Sequence, residues 1–397
     1  MTASDAPLPK LPRDPEDDYA AGPVDARRAY AVARAGRELP HLAGAPVPLE
    51  QARGNIENLV GFVQVPLGLA GPQRVDTHLG VREVAMPMAT TEGAMVASYS
   101  RGMSVLREAG GARARVISEG LSQHPVLVYR GAAEAQAAAD LARGSLDRFA
   151  SLTAEGTRHG SLIAVQPELW GRRLILRLVF HTADAIGINM AAAAADRCCR
   201  DLAERSGALE LYVHGQDVEK RANARSLVEG RGRSVVVDAR LPAELVRRRL
   251  RVEPQDLERI GQTYATGFAA MGTQNWGIQT ANGLAAMYLA CGQDVAYVVE
   301  SATGKLDLEV TPEGDLHAGL HLPSLLVGTV GGGTGQGTAA ECLAILGCQG
   351  TGKANLLAEL IGAALLAGDL SLMASFCAGD FVAAHERLGR NRPTGSV

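Results

Sequence analysis

The sequence predicts an α+β fold in which a small unit is inserted into a larger α/β unit. At 397 residues the chain is longer than one typical domain, and its hydrophobic content of 47% is sufficient for more than one core. Residues 126–206 contain a short apolar run, a helical stretch, two strand-like runs and a second helical stretch. Together these elements make a compact α+β unit of roughly 85 residues, the size of a small inserted domain.

The regions that flank this unit differ in character. Residues 1 to about 22 are polar, acidic and rich in proline, which predicts a loosely attached arm and no signal peptide. Helical patterns over residues 25–38 and 48–58 predict a small helical N-terminal piece. We therefore divide the chain into an N-terminal piece (1–60), a large domain (61–128 and 214–397) and a small domain (129–213).

The run PMATTEG, residues 87–93, places one carboxylate, Glu92, in apolar surroundings at the start of a helical pattern. A poorly solvated carboxylate tends to keep its proton, so Glu92 is a candidate general acid. An ordinary helix start whose Glu92 caps its own backbone is the simpler interpretation of this run alone. Further along the helix, Ser98 and Arg101 share a face and could hold a phosphate or a carboxylate together.

Three glycine-bearing runs are candidate nucleotide-binding segments. In DAIGINM, residues 184–190, a glycine beside a helix start lets backbone N–H groups approach a phosphate, although the run is no GxGxxG fingerprint. The densest run, LPSLLVGTVGGGTGQG (322–337), has backbone that can wrap a ligand closely. GCQGTGKA (347–354) fits GxxxxGK, but Ala354 stands where a phosphate loop needs Ser or Thr, which argues against ATP hydrolysis.

Lysine is scarce in this chain, which otherwise uses arginine. Of 39 basic residues only Lys10, Lys220, Lys305 and Lys353 are lysines. Lys220 lies in a polar loop ahead of a strand, and an ammonium supplies a compact point charge where guanidinium is a planar fork. The long helices predicted over residues 254–291 contain polar amides that need partners, so a ligand or a second subunit is plausible there: Gln274, Asn275, Gln279 and Asn282.

Composition argues against several classes of function. Nucleic-acid binding is not expected, because the net charge is -4 and only 4% of the residues are aromatic. The chain therefore has neither the excess of basic residues that binds phosphates nor many aromatic rings on which bases could stack. The apolar run 356–378 is interrupted by Glu359 and Asp369, so no membrane span is expected. The six cysteines show no CxxC spacing and are typical of free thiols in a reducing compartment, which predicts a cytoplasmic protein without a metal site: Cys198, Cys199, Cys291, Cys342, Cys348 and Cys377.

Six motifs in fixed order resemble 3-hydroxy-3-methylglutaryl-CoA (HMG-CoA) reductase. The resemblance runs from about residue 54 to residue 390 and includes IENLVGFVQVPLGLAGP, PMATTEG, DAIGINM, EGRGRSVVV, ACGQD and GTVGGGT. The lysine nine residues before EGRG is similar to the class I branch, without the membrane anchor of its eukaryotic members. The resemblance implies a large domain around an inserted ferredoxin-like small NADP-binding domain, with active sites built across the interface of a homodimer or a higher homo-oligomer.

The same resemblance implies roles for individual residues. The family reduces HMG-CoA to mevalonate and CoA with two NADPH, and the matching catalytic residues are Glu92, Lys220, Asp294 and His385. Glu92 would donate a proton, Lys220 would stabilise the oxyanion, Asp294 would hold both in one network, and His385 would protonate the CoA thiolate. The cofactor-binding residues would be Asp184, Ile186, Gly187, Ile188, Asn189, Met190 and Arg390.

The substrate-binding positions match less completely. We expect Ser98 and Arg101 to meet CoA phosphates, Phe62 to lie near the adenine, and Arg221, His214 and Asn282 to face the acyl end. Three departures affect this pocket: Val128 beside the expected arginine position, His214 in place of a serine, and Gln262 in place of a lysine. A paralogous reductase acting on another acyl-CoA, and a catalytically silent CoA- or nucleotide-binding homologue, are the alternative hypotheses.

Overall fold

The computed structural model describes residues 8–14, 16–17 and 20–379. Two of the expected site residues, His385 and Arg390, therefore lie outside the described residues. Within the described part, the helices and strands follow the predicted α+β order. The fold class inferred from the sequence is confirmed.

The N-terminal piece contains less helix than its pattern predicted. Helix α1, Ala21–Ala35, forms and packs on helix α11, Gly337–Ile345. The second predicted helix is wrong, because residues 48–58 form only one turn of 3₁₀ helix, Leu49–Ala52. Gly54 and Asn58 have φ angles of 81° and 52°, and such left-handed residues end a right-handed helix.

The large unit is built on a mixed sheet. Strands β1 (Leu67–Thr77) and β2 (Gly80–Ala89) form an antiparallel hairpin, and β1 also pairs in parallel with β3 (Ala112–Gln123). From β3 the sheet continues with antiparallel pairings through β8 (Gly232–Leu241) and β10 (Leu316–Leu325) to β9 (Lys305–Val310). Helix α12, Ala354–Cys377, packs against this sheet and helix α2, Met95–Glu108.

Helix α12 is the central core helix of the large unit. By length and composition it could cross a membrane, but 83% of its most apolar window is buried inside the protein. Its Glu359 and Asp369 are buried as well, and both accept hydrogen bonds from neighbouring elements. Burial against strands and helices accounts for the apolar character of α12.

The small unit has the ferredoxin-like arrangement. Its strands lie in the order β7-β4-β6-β5 and all neighbours are antiparallel. Helices cover the sheet, and the predicted first helix divides in two at Gly144–Ser145. The elements are β4 (Val126–Val128), α3 (Ala132–Arg143), α4 (Leu146–Ala154), β5 (Ser161–Trp170), β6 (Arg173–His181), α5 (Ile188–Ser206) and β7 (Glu210–Tyr212).

The two sheets are joined through β3, whose end (Leu121 to Gln123) pairs with β6. The small sheet begins at Val126, so the boundary that we expected at residue 129 would separate β4 from its partners. Val128 consequently lies inside this sheet and is buried.

The remaining helices connect the strands of the large unit. The predicted helices of residues 254–291 are α8 and α9, and Gly272, with a φ of 70°, ends the first of them. Between them the N–H of Trp276 donates to the carbonyl of Gly304, and the N–H of Gly304 donates to the carbonyl of Gln274, so this connection is held to the chain that enters β9. The bounds are α6 (Ala224–Glu229), α7 (Ala243–Leu250), α8 (Pro254–Met271), α9 (Thr280–Ala290) and α10 (Val298–Ser301).

Candidate active site

Two polar pairs lie at opposite ends of helix α9. At its start, Asn282 Nδ2 donates to both carboxylate oxygens of Glu92, at 3.3 and 3.1 Å. Beyond its end, Lys220 Nζ lies 3.4 Å from Asp294 Oδ2. The eight residue steps from Asn282 to the last residue of α9 span about 12 Å. Among the described residues no hydrogen bond or ion pair joins Glu92 to Lys220 or Asp294, so the single network that we expected is divided in two.

Glu92 is exposed at the start of α2. The expectation that it is buried is wrong for a single chain. The simpler alternative is also wrong: α2 begins after Ala94, which has a φ of 66°, and no side chain caps it. Glu92 instead donates its backbone N–H to Thr90 Oγ1 at 2.9 Å, and its carboxylate is oriented by Asn282.

Lys220 is held in an unusual backbone conformation. Its φ of 58° lies in the left-handed region, which costs a residue with a Cβ about 1 to 2 kcal/mol. Its backbone N–H donates to Glu300 Oε2 at 3.1 Å, and its ammonium lies 5.0 Å from the centre of the Tyr297 ring. Asp294 is fixed in turn, because its side chain accepts the N–H of Ala296. The loop thus presents the ammonium beside one carboxylate and one aromatic face.

Beneath Lys220 lies a buried charged cluster that the sequence analysis missed. Arg231, the arginine of EGRG, donates from Nη1 to both oxygens of Glu300 at 3.0 Å, and from Nη2 to Glu219 at 3.2 Å. Glu219 also accepts from Tyr297 at 3.1 Å and from Gln123 at 3.0 Å. Burial raises the pKa of Glu300, and Arg231 offsets part of this rise. The EGRG motif could have indicated this cluster, because it places an arginine at the start of a buried strand.

Ser98 and Arg101 share a face of α2, as predicted, and this face contacts α12. Ser98 Oγ lies 3.1 Å from Ser371 Oγ, and Arg101 donates to Ser371 Oγ at 2.9 Å and to Ser375 Oγ at 2.7 Å. A phosphate that binds Arg101 must compete with these hydroxyls.

Asp369, in the same region of α12, accepts from the N–H of Gln279 at 2.7 Å and from the hydroxyl of Thr280 at 2.9 Å. Burial raises the pKa of Asp369 to about 6. This carboxylate joins the core helix to the start of α9, the end that carries Asn282.

The segment 184–190 combines a fixed carboxylate with an open helix start. Asp184 accepts from the N–H groups of Gly352, Lys353 and Ala354 at 2.7 to 3.1 Å. Burial acts to raise the pKa of Asp184, but these donors outweigh it and the net pKa is lowered. The GxxxxGK run therefore does begin a helix that binds an anion, and the anion is the protein's own Asp184.

The carboxylate of Asp184 is thus bound within the protein, and the residues that follow it lead into α5. Gly187, with a φ of 81°, precedes the helix, and Ile188, Asn189 and Met190 form its first turn. That turn contains no acidic residue, so its N–H groups suit a phosphate. Ile186 packs partly buried against the core.

The remaining expected residues lie on different elements of the single chain. Phe62 is exposed in the irregular segment before β1, His214 is exposed just after β7, and Gln262 lies on α8. Arg221 is paired with Asp217 at 2.7 Å. Val128 cannot face an acyl group, because it is buried between β6 and β7, so the reasoning that placed it beside the substrate carboxylate is wrong.

His124, in the run SQHPVLV (122–128) that ends at Val128, is a buried polar group that sequence reasoning passed over. Its Nδ1 lies 2.7 Å from Gln216 Oε1 and its Nε2 lies 3.0 Å from Ser122 Oγ. Burial lowers the pKa of His124 to about 4. Its ring is therefore neutral at physiological pH and joins β3 to the loop that leads to Lys220.

Comparisons with known proteins identify the family of the chain. A family profile described as hydroxymethylglutaryl-coenzyme A reductase matches residues 23–390. The 3-hydroxy-3-methylglutaryl-coenzyme A reductase of Haloferax volcanii is 39% identical over 97% of this chain and 96% of its own length. That of Aeropyrum pernix is 40% identical over 92% of this chain and 89% of its own length.

Among solved structures, the class II reductase of Streptococcus pneumoniae bound to NADPH has a similar fold, with a TM-score of 0.74. It is 20% identical, and the match covers 91% of this chain and 98% of that chain. The order of motifs, the ferredoxin-like small unit and the extent of these matches lead to one conclusion. The chain belongs to the hydroxymethylglutaryl-coenzyme A reductase family.

Proposed function

We propose that this chain reduces HMG-CoA to mevalonate and CoA with two NADPH, as an enzyme of isoprenoid biosynthesis. Family membership over nearly the whole chain supports the reaction. The observation that carries it is the Lys220 ammonium, presented beside Asp294 on a loop that a buried charged cluster supports. A binding module has no need of a lysine held in this way.

The chemistry follows from where charge develops. When bound, NADPH would supply one hydride to the thioester carbon and, after the C–S bond has broken to release the CoA thiolate, a second hydride to the carbon of the resulting aldehyde. Each addition leaves negative charge on the carbonyl oxygen, and Lys220 stabilises that oxyanion as a point charge. Glu92, oriented by Asn282, donates the proton that converts the oxyanion to a hydroxyl. Asp294 keeps the ammonium in place.

The divided network calls for a second chain. Glu92 with Asn282, and Lys220 with Asp294, occupy opposite ends of α9. We propose that each active site takes the first pair from one subunit and the second pair from its partner. Apolar side chains around Asp294 support an interface there, since they are 44 to 48% exposed in the single chain: Leu289, Val295 and Val299.

Mixing inactive subunits tests this arrangement. Glu92→Gln and Lys220→Met dimers should each be inactive. After subunit exchange at equal amounts, half of the dimers are mixed and each mixed dimer has one intact site, so about a quarter of wild-type activity should return. Glu92→Gln mixed with Glu92→Ala is the matched control and should stay inactive. If the first mixture also stays inactive although its subunits exchange, each active site lies within one chain.

The other binding roles remain proposals. His385 would protonate the departing thiolate and Arg390 would meet the 2′-phosphate of NADPH. The opening turn of α5, with Ile186 and Gly187, would hold the nucleotide. We propose a cytoplasmic enzyme, because all six cysteines are free thiols, as in a reducing compartment.

The direct test is NADPH oxidation with HMG-CoA as substrate. We expect two NADPH oxidised for each CoA released, with mevalonate as product. Oxidation with a different acyl-CoA but none with HMG-CoA would make the chain a paralogous reductase. Binding of CoA and NADPH, with no NADPH oxidation in the presence of HMG-CoA or of another acyl-CoA, would make it a silent homologue.

A further inference from the structure

The side chain of Gln293 joins two loops of the proposed active site. It directly precedes Asp294 and is buried. Its Nε2 donates to the carbonyl of Gly328 at 3.0 Å and to that of Cys291 at 2.8 Å, while its Oε1 accepts the N–H of Gly328 at 2.8 Å. Both polar groups of Gly328 are thus paired with one amide. A primary amide can match a backbone residue in this way because it has both donors and an acceptor.

Gly328 in turn lies directly against the segment 184–190. The N–H of Thr329 donates to the carbonyl of Asp184 at 2.8 Å. A Cβ on Gly328 would lie 2.9 Å from the backbone nitrogen of Ile186 and 3.0 Å from the carbonyl oxygen of Asp184. Backbone touches backbone here, so a displacement of Gly328 moves the nucleotide segment with it.

Arg233 holds the same two loops from the other side. It is buried and donates from Nη1 to the carbonyl of Val327 at 2.7 Å and from Nη2 to the carbonyl of Ala183. Burial lowers the pKa of Arg233. The two loops are therefore fixed to each other, and Gln293 is the side chain that connects them to the loop of Asp294.

We propose that Gln293 is a positioning residue that sets the distance between Asp294, with its partner Lys220, and the nucleotide segment. This inference rests on the proposed function. Hydride transfer requires that the carbonyl carbon meet the nicotinamide while its oxygen meets Lys220. A chain of contacts from Asp294 through Gln293 and Gly328 to Ile186 fixes both groups within one subunit.

Two substitutions test this from opposite ends of the contact. Gln293→Met keeps the length of the side chain and removes all three hydrogen bonds. Gly328→Ala leaves Gln293 intact and pushes against Ile186. Gly267→Ala is the control, because Gly267 lies inside helix α8, outside the candidate nucleotide-binding segments, has no atom within 4 Å of its Cβ position and has no left-handed φ.

The measurements are the Kd for NADPH from nucleotide fluorescence, the rate of hydride transfer, and the deuterium isotope effect with NADPH labelled at the transferred position. A displacement of about 1 Å can slow a reaction on the order of 100-fold, so Gln293→Met should slow hydride transfer about 10- to 100-fold and raise the isotope effect on kcat. Gly328→Ala should weaken NADPH binding about tenfold. Affinity for CoA should stay unchanged in both, and Gly267→Ala should match the wild type.

The inference is overturned if Gln293→Met lowers only the unfolding temperature and leaves the hydride-transfer rate and isotope effect of the folded enzyme unchanged. If Gln293→Met does not fold, equal NADPH affinities of Gly328→Ala and Gly267→Ala overturn it. If the wild type binds NADPH but does not reduce HMG-CoA, only the proposed function is refuted. The NADPH affinities of the two alanine variants then still test the contact between Gly328 and Ile186. A wild type that does not bind NADPH ends both.

Discussion

Removal of Arg231 should show how much Lys220 depends on the cluster beneath it. Arg231→Met keeps most of the side-chain volume and deletes the charge. It leaves Glu300, which is fully buried, and Glu219 without their cation. Because Glu300 also accepts the backbone N–H of Lys220, the loss extends to the conformation of the loop that carries Lys220.

The magnitude follows from the burial of the pair. Both Arg231 and Glu300 are less than 3% exposed, and breaking such a pair by removing one partner costs about 3 to 5 kcal/mol. That is a large part of a typical stability of about 5 to 15 kcal/mol. An exposed pair is the control: Arg28→Met removes the ion pair with Asp25 and should change the free energy of unfolding by less than about 1 kcal/mol.

The dependence on pH has a definite sign. The pKa of Glu300 is already raised in the folded protein, and loss of Arg231 raises it further. A carboxyl group whose pKa is raised in the folded state binds more protons there than in the unfolded state. The free energy of unfolding therefore falls as pH rises from the pKa of the unfolded state through that of the folded state. The deficit of Arg231→Met should therefore be smaller at acidic pH than at pH 8.

These effects are measured by urea unfolding of the wild type, of Arg231→Met, of Arg28→Met and of the double variant Arg231→Met/Glu300→Gln. NADPH oxidation is the functional readout. We expect the double variant to recover part of the lost stability, because it no longer buries an unpaired carboxylate. Activity should remain low in both Arg231 variants. A stability loss as small as that of Arg28→Met, or a deficit independent of pH, would refute the reasoning.

Three further predictions concern single residues. Lys220→Arg should abolish NADPH oxidation and leave the circular dichroism spectrum unchanged, because a planar fork does not replace a point charge; unchanged turnover would remove Lys220 from the mechanism. Val128→Arg should not improve the KM for HMG-CoA and should lower the yield of folded protein, because it places a charge inside the small sheet; a folded variant with a lower KM would restore the original pocket assignment. The pKa of His124 is lowered to about 4, so the stability that its neutral ring contributes is lost as pH falls from about 6.5 to 4. In urea unfolding, His124→Gln should remove about 3 kcal/mol of this pH dependence. An identical pH profile in the variant would contradict the burial of a neutral ring.

The sequence by itself determined the class of fold and most of its elements. The apolar periodicities of residues 126–206 predicted the helices and strands of the small unit, because each pattern is local and repeats within a few residues. Ordered motifs also identified Lys220 and Asp294, and the structure pairs them at 3.4 Å. Errors arose where single residues end an element, as at Gly54 and Asn58, since the apolar pattern does not encode a left-handed φ.

Only the tertiary structure decided which side chains are buried and which of them meet. Arg231 and Glu300 are 69 residues apart in the chain, and Gln293 and Gly328 are 35 apart, so no local pattern could pair them. The same holds for Glu92, whose apolar neighbours suggested burial although its own side chain is exposed. Burial depends on how distant elements pack, and the separation of Glu92 from Lys220 by helix α9 exists only once that packing is formed.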